Sequence, residues 1–392
     1  MSVLDAMSAH LVGERLRRAR EAADITQADA ANAIGAARTT IVAMEKGERK
    51  VKLGELQRLT QLYRTTVNEL LRQESVHVDL VPRFRKLPGK GAEAGNAAEL
   101  MASLVKAEAE LENLLGVSRS VALPPERPLL NGDVRVQAEQ DAAELRRWLG
   151  VGLAPIPNLV GLLEMDMGVR VYVRRLPPMI SGLFAYDDAI GACILLNASH
   201  PRERRNTSAA HETGHLIATR RKPEVLHDGE EGKSREERYA NAFARALLTP
   251  ARAVMQKFAD ITAGADKLSR KHIIVLANYF AVSREAIVRR LEELELTKAG
   301  TWDWFVANGG ITDDQARQVL GDQVRRDEAR VDADRPTTLR LNLMAAEAVH
   351  RDLLSEGQLA RLLQMDRVEL RVLLDAYGAE GDEVDDGVQQ LG

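Results

Sequence analysis

His211-Glu212-Thr213-Gly214-His215 decides how the middle of this chain is read. Two histidines at i and i+4 project from one face of a helix, so both imidazoles can reach one tetrahedral cation. The glutamate between them stands beside the remaining coordination position, where it can take a proton from water. Two packing or surface histidines would also fit a helix. The chain, however, has only 8 histidines in 392 residues, and two of them flank a glutamate at ligand spacing. A hydrolytic centre of this kind needs a third protein ligand. Downstream, Glu236-Glu237 open a helix of small residues, Tyr239-Ala240-Asn241-Ala242-Phe243-Ala244, that runs to Leu247-Leu248-Thr249-Pro250. Either carboxylate can close the site. His227 lies in a polar, Gly-flanked stretch and reads as a solvent-exposed loop histidine; with Tyr239 and Arg205 it is a weak candidate for a second electrophile.

Upstream the apolar period shortens. Val169–Val173, Gly182–Tyr186 and Ile194–Asn197 read as strands, with a turn at Asp187-Asp188. A helix around Glu139–Leu149 precedes them, and Thr207 to about Leu296 is mostly helical. That order predicts a small sheet beside helices, an α+β arrangement. The Ile194–Asn197 strand is expected to take an extended substrate as an added strand.

The flanks are helical. In 11–71, Val12, Leu16, Ala19 and Ala23 recur at helical spacing. Thr26 caps a helix that starts at Gln27 and stops at Gly35; further short helices follow at about Arg38–Glu45, Leu53–Leu62 and Thr66–Leu71. Short helices with tight turns predict a helix-turn-helix bundle. Residues 72–95 have linker composition, with Pro82, Pro88, Gly89, Gly91 and Gly95. In Asn96–Leu115 the leucines 100, 104, 111 and 115 form one face of an amphipathic helix, suited to packing on its own domain or to a dimer seam. Residues 300–378 read as all-helical. Ser355 with Gln358, and Asp366 with Glu369, are capping boxes for a hairpin without basic flanks, which suits packing or partner docking. Trp302 and Trp304 are expected in a core. The acidic stretch 379–392 is expected to be disordered.

Composition bounds the function. Hydrophobic residues make up 45% and charged residues 29%, ordinary for a globular protein, and a net charge of −4 excludes a globally basic coat for nucleic acid. The lone Cys193 excludes a disulfide framework or a cysteine-rich zinc site and fits a reducing compartment. With no apolar h-region at the N-terminus and no long apolar run, neither a signal peptide nor a membrane span is expected, and the cytoplasm is the default location.

From about Glu139 to Leu296 the chain resembles the ImmA/IrrE metallopeptidases, bacterial proteases that cut DNA-binding repressors. The resemblance is carried by Ile180-Ser181-Gly182, Ile194-Leu195-Leu196-Asn197, Arg204-Arg205, Ala209-Ala210-His211-Glu212-Thr213-Gly214-His215, and Glu237-x-x-Ala240-Asn241-x-Phe243-Ala244 ending in Leu247-Leu248-Thr249-Pro250. It implies a zincin-like α+β domain with His211, His215 and Glu237 as metal ligands, Glu236 as the alternative third ligand, and Glu212 as catalytic base. The implied cofactor is Zn2+, with Mn2+ or Fe2+ as substitutes. The chain departs from the family pattern at Asn206-Thr207-Ser208, at Thr213 and at Tyr239.

Residues 11–71 resemble the lambda-repressor-like, XRE-type helix-turn-helix domain through Leu16-Arg17-Arg18-Ala19-Arg20, Thr26-Gln27, Ala30, Ile34-Gly35, Thr39-Thr40-Ile41, Glu45-Lys46-Gly47 and Leu70. Basic residues outnumber acidic ones over 11–72, a modest footprint for phosphate binding. The resemblance places Arg38, Thr39 and Thr40 at base edges, Arg38 on a guanine, and Gln27, Lys46, Arg49 and Lys50 on phosphates. It makes Arg20 and Glu45 an internal ion pair. Ala36-Ala37 stands where a capping Ser or Thr is common.

The expected protein is multidomain and mainly α. It comprises a helix-turn-helix domain at 8–72, a linker with an amphipathic helix at 73–131, the metallopeptidase domain at 132–297, a helical C-terminal domain at 298–378 and an acidic tail at 379–392. The expected function is that of a DNA-binding regulator whose endopeptidase cleaves a repressor or partner protein in stress, mobile-element or defence regulation. Operator DNA, an XRE-type repressor substrate and a homodimer partner follow from it, with no membrane. The alternatives are a metal or ligand sensor without proteolysis, and an antitoxin-like binding module.

Overall fold

The computed structural model describes residues 9–23, 25–63, 92–221, 224–227, 234–321 and 338–378. The expected helix at 66–71, most of the 72–95 linker and the 379–392 tail lie outside these. The chain divides into two compact units, Met1–His77 and Val78–Gly392.

The first unit holds α1 (Ala9–Ala22), α2 (Gln27–Ile34), α3 (Arg38–Glu45) and α4 (Leu53–Leu62). Thr26 Oγ1 accepts from Asp29 N at 3.2 Å and starts α2; Gly35, at φ +67°, ends it in the left-handed conformation that favours glycine. The start of α3 at Ala37 has no side-chain cap, which costs about 1 kcal/mol relative to Ser or Thr. Val12, Leu16, Ala30, Ile41, Met44, Leu56 and Leu59 fill a small core. Arg20 Nε meets Glu45 Oε1 at 2.6 Å, nearly out of water, and ties α1 to the end of α3.

The second unit is built on a four-stranded sheet in the order β1-β3-β2-β4, with β1 (Arg170–Arg174), β2 (Ile180–Asp187), β3 (Gly191–Asn197) and β4 (Glu224–His227). β1 runs parallel to β3, while β2 is antiparallel to both β3 and β4. This corrects the expected substrate strand: β3 is hydrogen-bonded on both sides, so it has no open edge, and the sheet ends at β1 and β4. It also moves His227 out of a loop, since it closes β4 and pairs with Ile180.

Both sheet faces are covered. Val171, Val173, Phe184, Ala192, Ile194 and Leu196 enter one core, and Tyr172, Leu183, Ala185, Cys193 and Leu195 the other. The period of two sends alternate side chains to opposite faces. A bulge between Ile180 and Gly182 breaks that alternation: Ile180 joins the second core with Leu183, while Gly182 faces the helix that carries His211.

On the first face lie α5 (Val134–Trp148), α6 (Leu159–Met165), α7 (Arg202–Ala218), α8 (Arg235–Leu248), α9 (Ala251–Thr262), α10 (Arg270–Phe280), α11 (Arg284–Glu293), α12 (Thr301–Ala307) and α13 (Asp313–Leu320). α7 packs on β2 and β3, and α8 packs on α7 and α5. Every residue from Ser208 to Ala218 is buried, so α7 is a core helix rather than an amphipathic one. It begins five residues earlier than expected. Asn206 ties it to the preceding loop, donating to Ile156 O at 2.9 Å and accepting from Leu159 N at 3.0 Å. In α12 Phe305 is buried in the core and Trp302 packs half-buried against it, whereas Trp304 is 56% exposed, contrary to the expected burial.

The second face is covered by the amphipathic helix Ala92–Leu115 and by Leu339–His350, Glu356–Leu363 and Arg367–Gly378. Between them and β1 sits a buried ionic cluster. Arg170 meets Glu112 at 2.7 Å and Glu108 at 3.0 Å, Arg340 meets Glu112 at 2.6 Å, Arg119 pairs with Glu108, and Tyr172 donates to Glu108 at 2.6 Å. The leucine face of 92–115 is thereby used within its own unit.

Candidate functional site

α7 presents His211 and His215 on one face, both 2% exposed, with Glu212 between them and fully buried. α8 starts at Ser234, whose Oγ accepts from Glu237 N at 3.0 Å. That cap places Glu237 in the first turn, and α8 crosses α7 so that its carboxylate meets both rings. Glu237 Oε2 lies 3.4 Å from His211 Nε2, Glu237 Oε1 lies 3.6 Å from His215 Nε2, and the two Nε2 atoms are 3.2 Å apart. Glu237, not Glu236, is the carboxylate in this group.

The close crossing depends on Gly214. A Cβ there would stand 2.9 Å from Ala240 Cα and 3.4 Å from Phe243 Cδ1. Gly214→Ala is expected to force α7 and α8 apart, costing about 1–3 kcal/mol of stability and weakening metal retention. Denaturant unfolding and metal analysis check this; a variant as stable and as metal-rich as wild type would show that the crossing tolerates the methyl group. Gly182 makes room in the same way. A Cβ on it would lie 2.9 Å from Glu212 Oε1, so the glutamate is seated against the backbone of β2.

Outer contacts orient the ligand histidines. His211 Nδ1 is 3.0 Å from Asn241 Oδ1, and His215 Nδ1 is 3.0 Å from Thr219 Oγ1. An amide oxygen only accepts, so His211 Nδ1 carries the proton and Nε2 presents its lone pair. The Thr219 hydroxyl can donate to His215 O at 3.4 Å and accept from Nδ1, which gives His215 the same tautomer. Two imidazole lone pairs and a carboxylate then converge, a donor set that fits a cation between them. For a tetrahedral ion bound at roughly 2.0–2.2 Å by nitrogen and oxygen, neighbouring ligand atoms are about 3.3–3.5 Å apart. The two Nε2 atoms, 3.2 Å apart, are close to that spacing, and each has its own Glu237 oxygen nearby, Oε2 at 3.4 Å for His211 and Oε1 at 3.6 Å for His215. The residues fit a divalent metal.

Tyr239 and Arg205 are engaged elsewhere. Tyr239 donates its buried hydroxyl to Asp141 at 2.8 Å, and burial with that carboxylate raises its pKa. Arg205 donates to Ala198 O and His200 O beyond the end of β3. Asn241 and Thr219 were not singled out as orienting residues. Their signal was spacing: Thr219 stands four residues after His215, and Asn241 four after Glu237.

In the first unit, Arg38 and Thr39 are exposed and Thr40 is half-buried at the start of α3. Arg38 donates to Gln27 Oε1 at 3.4 Å, and Gln27 Nε2 donates to Glu45 at 2.9 Å. Gln27, expected on a phosphate, thus links Arg38 at the start of α3 to the buried Arg20–Glu45 pair. Arg49, expected likewise, is held by both oxygens of Glu55 at 2.8 and 3.0 Å. Lys46 and Lys50 are exposed.

Residues 164–292 match the family model of the IrrE N-terminal-like domain, Peptidase M78, and residues 11–73 match that of a helix-turn-helix domain. No curated protein matches the chain. No helix among the described residues is long and apolar enough to cross a membrane. The chain therefore joins an N-terminal helix-turn-helix domain, a DNA-binding module, to a central IrrE N-terminal-like domain, a metallopeptidase-like module.

Proposed function

We propose that the chain is a DNA-binding regulator whose central domain is a zinc-dependent endopeptidase acting on a protein, an XRE-type repressor being the substrate class that fits best. The observation that carries this reading is the convergence of His211 Nε2, His215 Nε2 and the Glu237 carboxylate beside a buried Glu212. Two imidazoles and a carboxylate suit zinc, and manganese or iron can take the same set. The ion, when bound, supplies Lewis acidity toward water and the scissile carbonyl. Glu212 accepts the proton of the attacking water and hands it to the leaving amine. The backbone of β2 at Gly182 holds that carboxylate in place. A sensor without turnover would need the three ligands but not Glu212. A carboxylate with no exposed surface costs folding energy that an apolar residue at this position would not, which favours catalysis.

The catalytic part is tested with Glu212→Gln. That chain is expected to keep its metal and fold while cleavage slows by roughly 10²–10⁴-fold. Unchanged cleavage with equal metal content would remove Glu212 from the mechanism.

For the DNA-binding module, Arg38 is the base-reading residue and Lys46 and Lys50 are the phosphate contacts; Thr39 and Thr40 line the same edge of α3. Arg38→Ala is expected to relax sequence preference by about 1–3 kcal/mol at one position. Lys50→Ala is expected to weaken all sequences alike and to lower the salt slope by about 1. Titrations of specific and scrambled duplexes at several salt concentrations separate the two effects; identical behaviour of both variants would contradict these roles.

A further inference from the structure

We propose that Asn241 is a positioning residue of the metal centre: its side-chain carbonyl aims the His211 ring at the ion, and its neutrality keeps that ion exchangeable. The inference rests on the metal-centre reading of His211, His215 and Glu237. Glu237 and Asn241 stand one turn apart on α8, and both reach toward α7. One helix thus supplies a ligand and also the group that orients a ligand on its neighbour. His215 is backed differently, by Thr219 of its own segment. The aim of His211 therefore depends on the α7–α8 crossing, whereas that of His215 does not.

The chemistry of the outer partner sets how strongly a histidine binds. A carboxylate on Nδ1–H pushes electron density onto Nε2, and an amide does so less. Here the outer partners are an amide and a hydroxyl, both uncharged. Deleting such a partner typically lowers metal affinity about 10–100-fold, and installing a carboxylate should act in the opposite direction.

The test uses the full-length chain, zinc ion and a competing chromophoric chelator, with cobalt(II) absorption as a second signal of ligand geometry. Asn241→Ala is expected to bind zinc at least about tenfold more weakly than wild type. Asn241→Asp is expected to bind more tightly than wild type, release the ion more slowly and shift the cobalt bands. Melting of the metal-free chains controls for folding, and tightening by Asp is a gain that a merely structural asparagine would not produce. Zinc affinity of Asn241→Ala within twofold of wild type overturns the positioning role. Asn241→Asp no tighter than wild type overturns the role of neutrality. His211→Ala run beside them keeps the readings apart: if it binds zinc like wild type, the metal-centre reading falls, whereas its loss of binding beside an unaffected Asn241→Ala sinks only the present proposal.

Discussion

Wild type is expected to carry about one divalent ion per chain, as single-zinc sites of this ligand set do, and His211→Ala or His215→Ala is expected to lose it. Each histidine supplies one of the two Nε2 atoms, 3.2 Å apart, that face the Glu237 oxygens at 3.4 and 3.6 Å, so losing either one breaks the set. Both side chains are 2% exposed, and among the described residues no other histidine joins this group of ligand atoms. Elemental analysis of gel-filtered protein checks this. Equal metal content in wild type and both variants would mean that the ion, if any, sits elsewhere.

Removing the first unit is expected to have the other large effect. A chain of 78–392 should lose specific operator binding, falling to non-specific affinity, a drop typically of 10³–10⁷-fold. The second unit has its own core and sheet, so the truncated chain should stay folded, with a cooperative melt and its metal retained. In the full chain the specific affinity should decline steeply as salt rises, the signature of basic side chains such as the proposed contacts Lys46 and Lys50 displacing counterions from phosphates. Operator binding by 78–392 equal to that of the full chain would place recognition outside the helix-turn-helix domain.

Much of the site was legible because it is local. His211, Glu212 and His215 sit within one and a half turns, and helical geometry alone puts the two imidazoles together. The first-unit helices were equally readable, since Thr26 and Gly35 mark the ends of α2 through cap chemistry. What failed was non-local. Glu224–His227 is too short to display a strand's alternation, and the strand order that places β3 between β1 and β2 is set by pairing that no local pattern displays. The apolar residues on both sides of β3, Ile194 and Leu196 against Cys193 and Leu195, are the signature of a strand buried on two faces, and they pointed to the second helical layer. Arg49 shows in the sequence as a charge, whereas its pairing with Glu55 is visible only in the fold. The distinction between Glu236 and Glu237 needed the Ser234 cap, which sets where the first turn of α8 begins.

The central claim is that Glu212 makes this chain a protease. It is tested most directly by expressing wild type and Glu212→Gln beside the genomic neighbours, inducing stress, and mapping protein N-termini across the cell by mass spectrometry. The account predicts at least one new internal N-terminus, in a helix-turn-helix repressor or another partner, that appears with wild type and is missing with Glu212→Gln although both chains hold equal metal. Identical sets of N-termini together with identical transcription in the two strains would contradict it and leave a metal-dependent sensor in its place.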